Sequence, residues 1–175
     1  MMQHSPPMQR RRLLQLGFGA AAVLALAGGA AALWRPGWVG GQLSAAGAAV
    51  FRGVARAVLD GTLPADATAR EAALDAHALR LQATLASLSP ASRAELSQLL
   101  ALLAAAPGRR LLAGLAPDWP GASTAQIQAA LQSMRTSSLA PRQQAYHALR
   151  DLTNAAWYVD EATWPALGYP GPAPL

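Results

Sequence analysis

The sequence predicts an all-α fold: a single small helical-bundle-like domain of about five helices, behind an N-terminal leader and ahead of an extended aromatic and proline-rich arm. Three observations carry that reading. Alanine and leucine dominate a chain that is 53% hydrophobic, and both lose little conformational freedom in a helix. β-Branched residues are sparse, so strands have little material. Apolar positions recur every three to four residues, the helical period. The chain divides into a leader at 1–33, a linker at 34–42, a helical domain at 43–157 and an arm at 158–175.

The leader comes first. Arg10, Arg11 and Arg12 are followed by Leu13 and Leu14, and no charge appears between Leu16 and Leu33. A basic flank stays cytoplasmic while an apolar run enters the bilayer, so the segment reads as an export signal. Paired arginines followed by two leucines (Arg10, Arg11, Leu13, Leu14) point to the twin-arginine route, which implies the Tat translocase as a partner and a periplasmic destination. The uncharged run of about 18 residues would cover roughly 27 Å as a helix, close to the bilayer core. Retention as an inner-membrane anchor and cleavage near Ala30-Ala31-Ala32 therefore both stand as outcomes.

The linker contains Trp34, Pro36, Gly37, Gly40 and Gly41 without periodicity. A first helix is expected over 43–60, burying Val50, Phe51, Val54 and Val58. Gly61 is placed for a left-handed cap, and Pro64 prevents continuation. A second opens on Thr68-Ala69-Arg70-Glu71, which has the spacing of a capping box, and its inward stripe reads Leu74, Ala78, Leu81, Leu85 and Leu88. Ser89 and Pro90 supply an N-cap and an N1 proline for a third, with Leu96, Leu99, Leu100 and Leu103 inward. Pro107-Gly108 ends it, and a short helical piece follows over 109–115. The turn-rich Pro117-Asp118-Trp119-Pro120-Gly121 leads to a fourth helix over 124–136, with Ile127, Leu131 and Met134 inward. A fifth opens at Pro141 and carries Tyr146, Leu149, Leu152, Ala156 and Trp157.

The arm is dense in aromatic residues and proline. A short helical turn begins at Asp160-Glu161, before Trp164, and proline, which removes amide donors and fixes φ, makes this end an extended, non-helical arm. Such an arm either folds back on its own helices or docks a partner. Trp and Tyr supply large contact area at low entropic cost, so the docking reading falls on Trp157, Tyr158, Trp164, Gly168, Tyr169, Pro170, Gly171 and Pro172.

Composition closes off several chemistries. The chain has no cysteine, which excludes disulfides, thiolate metal sites, thioether haem attachment and cysteine nucleophiles. All fourteen basic residues are arginine. Three belong to the leader, leaving eleven against nine acids, a net of about +2 with no basic stripe, and this argues against nucleic acid as a partner. The histidines are His4, His77 and His147. His4 precedes the leader, His77 falls beside the second helix's stripe as a boundary residue, and His147 reads as surface or boundary. Isolated histidines without convergent carboxylates do not make a metal site. No serine sits in a nucleophile elbow, and Gly37, Gly40 and Gly41 do not follow a strand as a dinucleotide loop requires. The sequence therefore assigns no catalytic, cofactor-binding or metal-ligating residue, and the chain is expected not to be an enzyme.

Residues 142–172 resemble the family described as gluconate 2-dehydrogenase subunit 3. The matching elements are Tyr146-His147-Ala148-Leu149-Arg150-Asp151-Leu152, Trp157-Tyr158, Trp164 and the closing Leu167-Gly168-Tyr169-Pro170-Gly171-Pro172. Ala57-Val58-Leu59-Asp60-Gly61-Thr62-Leu63-Pro64 is similar to that family's helix-to-loop stretch. The resemblance implies a non-catalytic small subunit of a periplasmic dehydrogenase complex. Its partner would be a large FAD-dependent flavoprotein of the glucose–methanol–choline type acting on a sugar or alcohol, in some complexes with a multihaem cytochrome c. FAD would sit in that large subunit, and this chain would act as its folding and export chaperone and as its stabiliser. The alternative from the residues alone is a stand-alone exported or membrane-anchored helical interaction protein.

Overall fold

A computed structural model of the chain describes residues 35–168. These residues are mostly helical, as the apolar periodicity predicts. The long helices are α1 (Ala45–Val58), α2 (Ala67–Ala86), α3 (Pro90–Ala104), α4 (Thr124–Arg135) and α5 (Ala140–Tyr158). A single turn at Ala106–Gly108 runs into a π-helical stretch, Arg109–Ala113, and a 3₁₀ helix at Glu161–Leu167 closes the described chain. No helix among the described residues is long and apolar enough to cross a membrane. Arg10, Arg11, Leu13 and Leu14, with the rest of the leader, lie outside the described residues.

The segment read as a linker is structured. Trp38–Val39 (β1) pairs antiparallel with Gln42–Leu43 (β2) across Gly40 and Gly41, whose φ values of 59° and 83° make the two-residue turn. The hairpin is stitched to two helices: Trp38 N–H donates to Ser97 Oγ at 3.0 Å and Leu43 N–H to Gln82 Oε1 at 3.0 Å. Periodicity missed it because each strand has only two residues.

α1 is the central element, packed against the other four long helices. Its N-cap Ser44 accepts from Gly47 N–H at 3.1 Å, and the helix buries Val50, Phe51, Val54 and Ala57 with two glycines. Val58, expected inside, is half-buried. At Gly53 an added Cβ would lie 3.0 Å from the Trp119 ring and 3.3 Å from Ile127, so the missing side chain admits the indole. Gly61 has no positive φ; the helix ends instead at Leu59 (φ −97°, ψ 8°), whose carbonyl accepts from the Thr62 N–H and hydroxyl. Both donors fold the chain back without a left-handed residue.

α2 starts one residue before Thr68, because Asp66 accepts from Ala69 N–H at 2.8 Å and is the N-cap. The capping box expected at Thr68 and Glu71 is absent, and Glu71 turns with Asp75 to Arg52 of α1. A reciprocal box occurs at α4, where Ser123 and Gln126 satisfy each other's amides at 2.9 and 3.2 Å. The buried stripe of α2 is Leu74, His77, Leu81 and Leu85; Ala78, expected inside, is exposed, and Leu88 is half-buried. α3 follows expectation, with Ser89 capping Ser92 N–H and Leu96, Leu99, Leu100 and Leu103 buried. So does α4, with Ile127, Leu131 and Met134 inward.

Arginine holds the connections. Arg56 donates to Trp119 O (2.9 Å) and Ala122 O (3.2 Å), Arg70 to Pro64 O, Arg93 to Ala86 O, Arg109 to Ala104 O and Ala116 O, and Arg142 to Leu112 O. Each planar guanidinium reaches helix-end or loop carbonyls that the helices leave unpaired.

Candidate functional site

The end of α5 gathers Trp157, Tyr158 and Trp164, three of the eight residues that the sequence marks for partner contact. Three helical turns place Leu149, Thr153, Ala156 and Trp157 inward, where α5 lies along α2 and α1. Trp157 is 6% exposed and belongs to a satellite core with Ala55, Leu59 and Leu74. Its face is therefore committed to the fold. Tyr158 is half-buried against the same cluster, and Trp164 donates its Nε1–H to Tyr158 O at 2.9 Å.

Beyond α5 the chain does not extend directly. Asp160 O accepts from Thr163 N–H at 2.9 Å and from the Thr163 hydroxyl at 2.7 Å, and Asp160 Oδ1 accepts from Ala162 N–H at 3.0 Å. These bonds wind 161–167 into the 3₁₀ helix, so the arm's first part is helical and folds back on its own domain. Gly168 follows with φ +71°, a left-handed turn suited to glycine. Tyr169, Pro170, Gly171 and Pro172 lie outside the described residues.

Sequence reasoning missed the polar groups behind this aromatic cluster. His77, read as a boundary residue, is only 2% exposed. Its Nε2 faces Thr153 O at 3.0 Å; a carbonyl only accepts, so the proton sits on Nε2. Burial holds the imidazole below its ordinary value of 6.5; the nearby Arg80 charge lowers it further, and the Thr153 bond offsets part of this. The His77 and Trp157 rings lie 6.2 Å apart, tilted by 48°. Arg80 lies 5.8 Å from the indole centroid and donates to Ala156 O (3.1 Å) and Asp160 Oδ2 (3.0 Å). Thr153 Oγ1 and Trp157 Nε1 are buried with no hydrogen-bond partner among the described residues. The spacing Leu74, His77, Leu81 could have revealed the buried histidine, since position 77 fits the stripe as well as position 78.

A second feature is an open groove of about 290 Å³ between the end of α1, α4 and α5. Val58, Leu131 and Tyr146 form its apolar floor, and Gln128, Gln132 and Arg150 its polar edge. His147, exposed beside it, contacts the Tyr146 ring edge-on at 5.2 Å. Among the described residues no three His, Asp or Glu side chains gather as metal ligands. The geometry offers an aromatic surface fastened at the end of α5 and a shallow apolar groove.

Comparison with protein-family models, curated proteins and solved structures returns no match to this chain.

Proposed function

We propose that this chain is the non-catalytic small subunit of a periplasmic FAD-dependent dehydrogenase complex of the glucose–methanol–choline type, serving as folding and export chaperone and stabiliser for the catalytic subunit. The observation that carries the reading is the closing stretch of Trp164 and Leu167-Gly168-Tyr169-Pro170-Gly171-Pro172, with its resemblance to gluconate 2-dehydrogenase subunit 3. Support comes from the fold's use of its own polar groups. The guanidiniums of Arg52, Arg56, Arg80, Arg109 and Arg142 are engaged within the domain, as suits a scaffold. The arginine pair at Arg10 and Arg11 gives the complex its export signal, and a leader in trans suffices when the flavoprotein crosses already folded around FAD.

In this reading Trp157 acts from inside, by positioning Tyr158 and Trp164, while Trp164 and the residues after Gly168 meet the partner. Co-expression with the flavoprotein tests it. Deleting this chain should leave the large subunit inactive or cytoplasmic, and full periplasmic activity without it would sink the reading. Arg10→Lys with Arg11→Lys should strand both proteins in the cytoplasm. Truncation after Thr163 should weaken copurification, and unchanged copurification would remove the arm as the docking element.

A further inference from the structure

We propose that the seam between α2 and α5 is a pH-operated latch on the C-terminal 3₁₀ segment, closed while His77 is neutral and opened when His77 takes up a proton. The argument starts from what surrounds the imidazole. Nε2–H is already committed to Thr153 O, so an added proton goes to Nδ1 of a side chain that is only 2% exposed. The charged groups near it are few. On α2 itself, Arg80 stands one turn on, and its positive charge opposes a second cation. From the end of α5, Asp160 is bound to Arg80 at 3.0 Å rather than to the imidazole. On α5 proper, Asp151 pairs with Arg150 on the exposed side. From α1, Arg52 is held by Glu71 and Asp75 of α2, all three at the surface side of the helix pair. The β-hairpin meets α2 through Gln82, which is uncharged. No carboxylate among the described residues is bonded to the histidine, so its cation would sit in a largely covered seam without a bonded counter-charge, a state that proteins relieve by moving apart.

The seam is well packed but leaves polar atoms unsatisfied on its α5 side. Thr153 Oγ1 and Trp157 Nε1 are both buried there without a partner among the described residues, so separation of the helices lets two polar atoms reach water. The link to the 3₁₀ segment runs through Arg80. This side chain holds Ala156 O and Asp160, and Asp160 in turn holds Ala162 and Thr163. Displacing α5 from α2 at position 77 therefore loosens the base on which Trp164 is mounted. The device needs no partner to operate, so its test is independent of the dehydrogenase reading.

Amide hydrogen exchange of the full chain, compared between about pH 7 and about pH 5 after correction for intrinsic rates, tests the latch. Exchange in peptides covering 153–168 should accelerate by up to about tenfold per pH unit, the limit for one proton, while α3 and α4 stay protected. His77→Gln keeps a donor for Thr153 O but does not titrate, and should abolish the acceleration. Unchanged protection in the natural chain, or equal acceleration in H77Q, overturns the proposal. If H77Q fails to fold, the His77 titration followed by NMR in the natural chain takes its place. Its midpoint must coincide with that of the exchange change, and separate midpoints overturn the latch.

Discussion

Trp119 and Trp157 are both nearly covered, at 2% and 6% exposure, but they are held on different terms. The Trp119 indole donates to Leu103 O at 2.8 Å, its ring rests on Gly53, and its own carbonyl accepts from Arg56. The Trp157 indole packs as well, but its N–H meets no acceptor among the described residues, and a buried histidine and threonine lie beside it. The first tryptophan closes a core in which shape and hydrogen bonding agree. The second sits in a seam where packing is good and polar satisfaction is incomplete. Burial by itself therefore does not rank the two sites; the fate of the N–H does.

Substitutions at the two positions can break this contrast. Trp119→Ala should cost about 3–5 kcal/mol in urea unfolding, through the cavity left against Gly53 and Ile127. Trp119→Phe fills most of that space but strands Leu103 O, for roughly 1–3 kcal/mol. Trp157→Phe removes a donor that has no acceptor among the described residues, so it should change stability by less than about 1 kcal/mol in either direction. Equal losses for the two phenylalanine variants would erase the distinction.

The pH dependence sharpens it. His77 titrates below 6.5 when folded, so between its folded and unfolded values the unfolded chain binds more protons. Its contribution is full above about pH 6.5, falls as pH drops toward the folded value, and levels off below it. Urea midpoints of the natural chain minus those of His77→Gln should trace that decline, and a flat difference would contradict it. The smallest effect belongs to the surface. Arg52→Met breaks exposed pairs with Glu71 and Asp75, and should cost under about 1 kcal/mol, most of it gone at high salt.

What could be read from residues alone follows from how local each decision is. Ser89-Pro90 fixes a helix start within one turn, and the α3 and α4 stripes face one continuous core, so both were legible. Asp66 and Thr68 are alternative caps two residues apart, and the helix takes Asp66, beside which Arg70 reaches back to Pro64 O. His77 and Ala78 fit the same period, and the outcome depends on a carbonyl 76 positions away. Trp119 looked like part of a turn because its pocket is made by α1 and α3, which no window around residue 119 contains. The aromatic pair at 157–158 was visible as composition, but which member faces inward was set by tertiary packing. The arm reads as a short turn before Trp164 and then an extended end, but the 3₁₀ helix that Asp160 starts continues through Trp164 to Leu167.

The carbonyl clamps described above have a chemical consequence. Every one of them is arginine, and the chain contains no lysine at all. With no ε-amine anywhere, acetylation, Schiff-base capture by sugars and amine-directed cross-linkers have no side chain to attack, only the chain's first residue. Glycation of lysine side chains is thus excluded by composition alone.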